Sequence, residues 1–239
     1  EWPTYRHDPQ RSGSVKSSAP SDPQFALWKT NLGGKLSPPV AANGKIFVAA
    51  VNSHAVKCLD AENGELLWSY TTDARVNSPP TIYKGRVLFG STDGYVYCLR
   101  ASDGKLIWRF RAASGTNRIS IRGQIESAWP SHGSVLVRDD KAYVTAGRSS
   151  YLEGGIRVYA LDPQTGKVLH QRHLVDSTDI SEDAGRPYDM EGAQSDILVA
   201  GEEDIYMFQK RFNADLTLDS MPRITKLGDR KCGLHLMTT

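Results

Sequence analysis

Apolar residues come in short bursts along the first half of the chain, cut by polar dipeptides that carry glycine. Ile46–Ala50, Ala55–Leu59 and Leu66–Tyr70 are short, mostly apolar runs and read as strands. The dipeptides Asn43-Gly44, Asn63-Gly64, Asp93-Gly94 and Asp103-Gly104 separate such runs. Asn, Asp and Gly accept the positive φ angles of a tight hairpin, so each dipeptide predicts a chain reversal. No helical period runs through residues 30–110. The pattern predicts an antiparallel, all-β protein.

The bursts recur with a fixed period. Trp28, Trp68 and Trp108 are spaced 40 residues apart, as are Cys58 and Cys98. Ser37-Pro38-Pro39 returns 41 residues later as Ser78-Pro79-Pro80. Glu62-Asn63-Gly64-Glu65-Leu66-Leu67-Trp68 matches Ser102-Asp103-Gly104-Lys105-Leu106-Ile107-Trp108. A third copy contains Lys141-Ala142-Tyr143-Val144 and Arg157–Asp162, then Thr165-Gly166-Lys167-Val168-Leu169-His170, with His170 in the tryptophan's place. His170 lies 62 residues after Trp108, so about 22 residues are inserted. A fainter fourth copy begins at Asp196. Four short strands in a unit of about 40 residues are the signature of a β-propeller blade. The expected fold is an all-β propeller of four-stranded antiparallel blades, about four of them visible, as an arc or part of a larger propeller. Residues 1–27 form a lead-in, 28–213 the blades (28–70, 71–110, 127–172 and 193–213) and 214–239 an irregular C-terminal segment.

The repeat carries a family resemblance. Cys58-x-Asp60-x-x-Asn63-Gly64-Glu65-x-x-Trp68 resembles the AxDxxTGKxxW "tryptophan docking" motif of quinoprotein-type (PQQ-like, BamB-like) propellers. Ala160-x-Asp162-x-x-Thr165-Gly166-Lys167 keeps it up to His170, and Cys98 through Gly104 to Trp108 is a further version. The opening Trp2–Asp8 with Arg11-Ser12-Gly13 is similar to the family's lead-in. The resemblance implies that these motif residues are structural, each Trp packing on the neighbouring blade, and it implies little about chemistry.

Composition narrows the rest. The chain has 239 residues and a net charge of +2, too mild for a nucleic-acid surface. No apolar run is long enough to span a membrane. Starting at Glu1, the chain reads as a processed or trimmed piece of something longer. Of three cysteines, Cys58 and Cys98 read as small buried hydrophobes or as a pair across adjacent blades, and Cys232 as a free thiol. No CxxC, HExxH, Walker A, GxGxxG or nucleophile elbow occurs, so no metal or catalytic residues are predicted.

Candidate binding residues cluster in the insertion. Arg109, Arg111, Arg118 and Arg122 have no acid among them, and guanidinium forks grip carboxylate or sulfate. Glu126–Gly133 is read as opening blade three at the Ser-Pro-Pro position, on the innermost strand. That reading puts Gln124, Glu126, Trp129 and His132 at a mouth of the central channel. Gly147–Gly155 is an enlarged turn that adds Arg148 and Glu153. Carboxylates between Asp176 and Glu191 fit no calcium loop and read as an acidic surface.

These readings favour a non-catalytic, extracytoplasmic (periplasmic, secreted or cell-surface) module that binds a protein or ligand, a glycan or small anion among them, or acts as a scaffold. The alternative is a fragment of a PQQ- and Ca²⁺-dependent quinoprotein dehydrogenase, as the resemblance allows. Family members that bind PQQ carry a vicinal Cys-Cys pair, and none occurs here. An open arc would leave an apolar blade face bare, so completion by further sequence, another chain or a second copy is expected.

Overall fold

Residues 1–17, 26–175, 197–208 and 210–219 are described by the structure, a computed structural model. The first sheet contains β1 (Val40–Ala42), β2 (Lys45–Ala50), β3 (Ala55–Asp60) and β4 (Leu66–Thr71). The second contains β5 (Thr81–Tyr83), β6 (Arg86–Gly90), β7 (Tyr95–Arg100) and β8 (Leu106–Arg111). A hairpin follows, β9 (Arg118–Ile121) and β10 (Gln124–Ser127). The third sheet contains β11 (Leu136–Arg138), β12 (Lys141–Ala146), β13 (Ile156–Leu161) and β14 (Val168–Leu174). The fourth contains β15 (Val199–Ala200), β16 (Ile205–Met207), β17 (Lys210–Phe212) and β18 (Leu218–Asp219). Each four-stranded sheet is antiparallel in sequential order, so these are four blades of a β-propeller.

Both faces of a blade are buried, which is why its central strands read as unbroken apolar runs. On β6, Val87 and Phe89 pack with Phe47, Cys58 and Trp68 of blade one, while Leu88 between them packs with Val137, Ala142 and Val144 of blade three. On β12, Tyr143 turns instead toward Ile205, Met207 and Phe212 of blade four. Period-two alternation thus sends successive side chains into two different interblade cores. Cys58 and Cys98 are both free and fully buried, one in each of the first two cores. Burial pushes both thiols up to about 12, so they behave as small hydrophobes.

The tryptophans join consecutive units. Trp28 Nε1 donates to Ala61 O at 3.0 Å, Trp68 Nε1 to Ala101 O at 3.1 Å, and Trp108 Nε1 to Pro163 O at 3.2 Å. Each indole lies flat on the glycine of the next turn. A Cβ at Gly104 would stand 2.7 Å from the Trp68 ring, and Gly104 has φ +70°. Only glycine supplies both the left-handed backbone and the missing atom.

The lead-in fills the propeller axis. Innermost strands β1, β5, β11 and β15 are neighbours in that order. Trp2 exchanges main-chain bonds with Ala41, Ile82 N donates to Pro3 O at 2.7 Å, and Ala200 N donates to Pro9 O at 2.9 Å. Arg11 closes the set from only 3% exposure. Its guanidinium donates to Thr4 Oγ1 at 2.7 Å, Tyr5 O at 3.0 Å, Ser134 O at 3.3 Å, Val135 O at 3.4 Å and Leu198 O at 3.3 Å. Burial lowers its pKa to about 10, so it stays charged at neutral pH. Residues 2–11 therefore bond to the innermost strands of blades one, two and four and to Ser134 and Val135, which lead into that of blade three.

On the outer side of blade one the chain covers part of its own apolar surface. Val48, Ala50 and Leu59 are buried there. The segment from Trp28 to Ser37 runs along this side, with Lys57 Nζ donating to Leu32 O at 3.2 Å and Val51 N to Lys35 O at 2.8 Å. Cys232 and the carboxylates from Asp176 to Glu191 lie outside the described residues.

Candidate functional site

Because every blade is an antiparallel meander, its connections sort by end. The turns after first and third strands emerge at one end of the propeller. The connections after second and fourth strands emerge at the other. The inserted residues fall almost wholly at that second end. Residues 112–135 link blades two and three, where residues 72–80 suffice between blades one and two. Residues 147–155 link β12 to β13, where residues 91–94 suffice between β6 and β7.

The insertion corrects one expectation. Glu126 is not on the innermost strand, which begins ten residues later at Leu136. Instead Gln124 and Glu126 lie on β10 of the extra hairpin. Residues 112–135 had to accommodate that hairpin before the blade could start, and this displaces the repeat.

At the centre of this end is a buried charge cluster. Glu126 is 2% exposed in its side chain. Arg75 Nε donates to Glu126 Oε1 at 2.7 Å, and Arg75 Nη2 reaches the same oxygen. Arg148 Nη2 lies 3.4 Å from Glu126 Oε2 and 3.1 Å from Ser127 O, and its Nη1 donates to Ala128 O at 2.6 Å. Two guanidiniums face one carboxylate, a local excess of positive charge. His132 sits in their field without a charge of its own. Burial pushes its pKa down to about 4, Arg148 and Arg75 add to the fall, and Glu126 opposes it. A narrow crevice beside it is lined by Ser131, His132, Ser134, Val144, Thr145 and Leu198. Nearby on the same end, Asp93 accepts from Tyr97 Oη at 2.6 Å and Tyr95 N at 2.9 Å. Burial nonetheless raises the Asp93 pKa above the usual carboxylate range.

The structure thus brings Glu126, His132 and Arg148 together. Trp129 and Glu153 also meet, but through the main chain: Trp129 Nε1 donates to Glu153 O at 2.6 Å. The Trp129 ring rests over Gly115, where a Cβ would stand 2.8 Å from it. Gln124 joins none of these, since its Oε1 accepts from His54 Nε2 of blade one at 2.9 Å. Arg118 and Arg122 stand apart, exposed on the hairpin. The sequence reading passed over Arg75, which is 51 residues from Glu126. The available signal was positional: Arg75 is the one basic residue in the connector 72–80, the counterpart of the connector that holds Glu126. It also passed over Arg11 as an axial residue.

Comparison with known proteins decides the family. The model of the family described as outer membrane protein assembly factor BamB matches residues 11–211. The chain belongs to this family. Among solved structures, the quinohemoprotein alcohol dehydrogenase of Comamonas testosteroni is 20% identical with a TM-score of 0.57, over 72% of this chain and 27% of that one. The quinohemoprotein alcohol dehydrogenase ADHIIG of Pseudomonas putida HK5 is 23% identical with a TM-score of 0.50, over 62% and 22%. BamB of Moraxella catarrhalis is 18% identical with a TM-score of 0.46, over 82% and 66%. The chain spans about a quarter of the length of the dehydrogenases it resembles, and at these identities the likeness is one of fold. No curated protein matches the chain.

The cofactor of those dehydrogenases can be tested against the residues present. A quinone held with Ca²⁺ needs space on the axis and carboxylate oxygens free to ligate. Here Arg11 and residues 2–9 take up the axis. Both oxygens of Glu126 face guanidiniums, and both oxygens of Asp93 accept hydrogen bonds. The described residues therefore do not fit that group.

Proposed function

We propose that this chain is a non-catalytic, extracytoplasmic propeller module that binds a protein partner and acts as a scaffold. The observation that carries this reading is the filled axis: Arg11 bonds to the carbonyls of Ser134, Val135 and Leu198, where a channel ligand would otherwise sit. Binding then falls to the end that carries the insertion, because connections there vary while the blades keep their geometry. The Glu126 network acts in this reading as a clamp. It ties the hairpin, the connector before blade two and the enlarged turn of blade three into one surface. Family membership supports a partner-binding role, as the family is named for an assembly factor.

The test is titration of the purified chain with pyrroloquinoline quinone and Ca²⁺, followed by absorbance and thermal shift. No saturable change is expected. A saturable shift at micromolar quinone would establish the dehydrogenase-fragment alternative and overturn the scaffold reading.

A further inference from the structure

The hairpin β9–β10 has two unlike faces and one open edge. Its register pairs Gln124 with Ile121, Ile125 with Ser120, Glu126 with Ile119 and Ser127 with Arg118. Cross-strand partners share a face. Ile119, Ile121, Gln124 and Glu126 therefore form the face that lies on the propeller, through His54 and Arg75. Arg118, Ser120, Ile125 and Ser127 form the opposite face, which is open at Ile125, 62% exposed, and buried only at Ser127. The two-residue turn Arg122-Gly123 makes Gln124 and Ile121 a hydrogen-bonded pair, so the pairing alternates from there. Ser120 and Arg118 are then non-hydrogen-bonded positions whose N–H and C=O groups point away from β10. The same rule sends Ser127 N outward on the other strand, and it donates to Thr92 O at 2.8 Å. Among the described residues the hairpin sheet has only two strands, and none of them pairs with the β9 edge.

We infer that the β9 edge is a docking site for an extended acidic segment of a partner protein, added as a third strand. An open edge offers main-chain hydrogen bonds to any extended chain, and side chains select among them. Selection here is by charge. Arg118 and Arg122 are exposed at this edge, Arg109 and Arg111 are exposed at the end of β8, and no acid occurs from Arg109 to Ile125. Ile125 gives the incoming strand an apolar contact on the outward face. The hairpin is held from beneath by Glu126 and Gln124, so binding does not require it to be ordered first.

This surface rests on the reading of the chain as a binding module, and the two fail separately. A quinone titration that saturates sinks the module reading. A silent quinone titration with no peptide binding sinks this surface alone. The probe is a blocked peptide alternating Glu with Val, read by fluorescence anisotropy against the whole chain, beside a Lys-for-Glu version. Saturable binding of the Glu peptide alone is expected. The double variant Arg118→Glu, Arg122→Glu is expected to weaken it by roughly tenfold or more, as charge reversal at a steered contact does. Ser120→Pro removes an outward N–H at a position where an edge strand tolerates proline, and it should weaken binding similarly. Should Ser120→Pro loosen the hairpin, N-methylation of alternate peptide residues removes the same bonds from the ligand's side. Equal binding to the charge-reversed variant, or equal binding by the N-methylated peptide, would overturn the proposal. So would a heparin oligosaccharide that binds wild type and Ser120→Pro alike while the peptide does not bind.

Discussion

At one end of the propeller the connections are nearly interchangeable. Asn43-Gly44 and Lys84-Gly85 close the first hairpins with the same pair of positive φ angles, and the Trp-to-carbonyl contact occurs three times within 0.2 Å of the same length. At the other end the described connections diverge, although Val51–His54 and Ser91–Gly94 are both four-residue turns closed by one main-chain bond. There lie the short turn at Val51–Ser53, the extra hairpin, the enlarged turn from Gly147 to Gly155 and the Arg75–Glu126–Arg148 network. The repeating end is held by many small contacts of local origin, since Asp162, Thr165 and Gly166 of one turn serve one neighbouring tryptophan. The variable end is held by a few strong contacts between residues far apart in sequence. Repetition marks what every blade needs, and departure from it marks what this protein adds.

That contrast makes measurable demands. Glu126→Ala leaves two guanidiniums in a buried site without their carboxylate, and a loss of about 3–5 kcal/mol is expected. Chemical denaturation would read it. If the loss stays below 1 kcal/mol, roughly the value of an exposed pair, the network is not what holds the variable end. Gly104→Ala tests the repeating end. Left-handed backbone costs an alanine about 1–2 kcal/mol, and overpacking against the Trp68 ring adds a similar amount, so roughly 2–4 kcal/mol is expected. A cost near zero would mean that the indole sits less closely than the geometry requires.

The smallest effect depends on pH. His132 has its pKa lowered to about 4, against an ordinary value of 6.5. Below pH 6.5 the unfolded chain binds a proton that the folded chain refuses, so stability falls as pH drops from 6.5 toward 4. The full effect is up to roughly 3 kcal/mol and is reached only at the bottom of that range. His132→Gln should flatten the fall in Tm over this window while leaving Tm at pH 8 within a few degrees. An unchanged pH profile in the variant would assign the acid sensitivity to other groups.

Much of the fold was legible because its causes are local. Lys45–Ala50, Ala55–Asp60 and Leu66–Thr71 fall within a residue of the expected strands, and dipeptides such as Asn43-Gly44 do reverse the chain. The site was only half legible. Glu126, His132 and Arg148 stood out by type and by their place in the insertion, but their setting was misjudged because a hairpin of ordinary strand composition lay hidden in it. Arg75 went unremarked because nothing around it in sequence announces a partner 51 residues on. Arg118 and Arg122 looked like part of the cluster from charge alone, whereas strand alternation turns Arg118 outward.

The sequence by itself determined the 40-residue unit, its strands and turns, and the places where the repeat breaks. These follow from side-chain periodicity and turn chemistry, which act over a few residues. The tertiary structure alone decided that Arg11 occupies the axis, that Arg75 and Arg148 converge on Glu126, and that the hairpin shows one face to the propeller and the other to solvent. Those arrangements depend on which blades become neighbours. A buried charge or a main-chain donor finds its partner across that boundary, and the local pattern on either side is the same whether the partner is there or not.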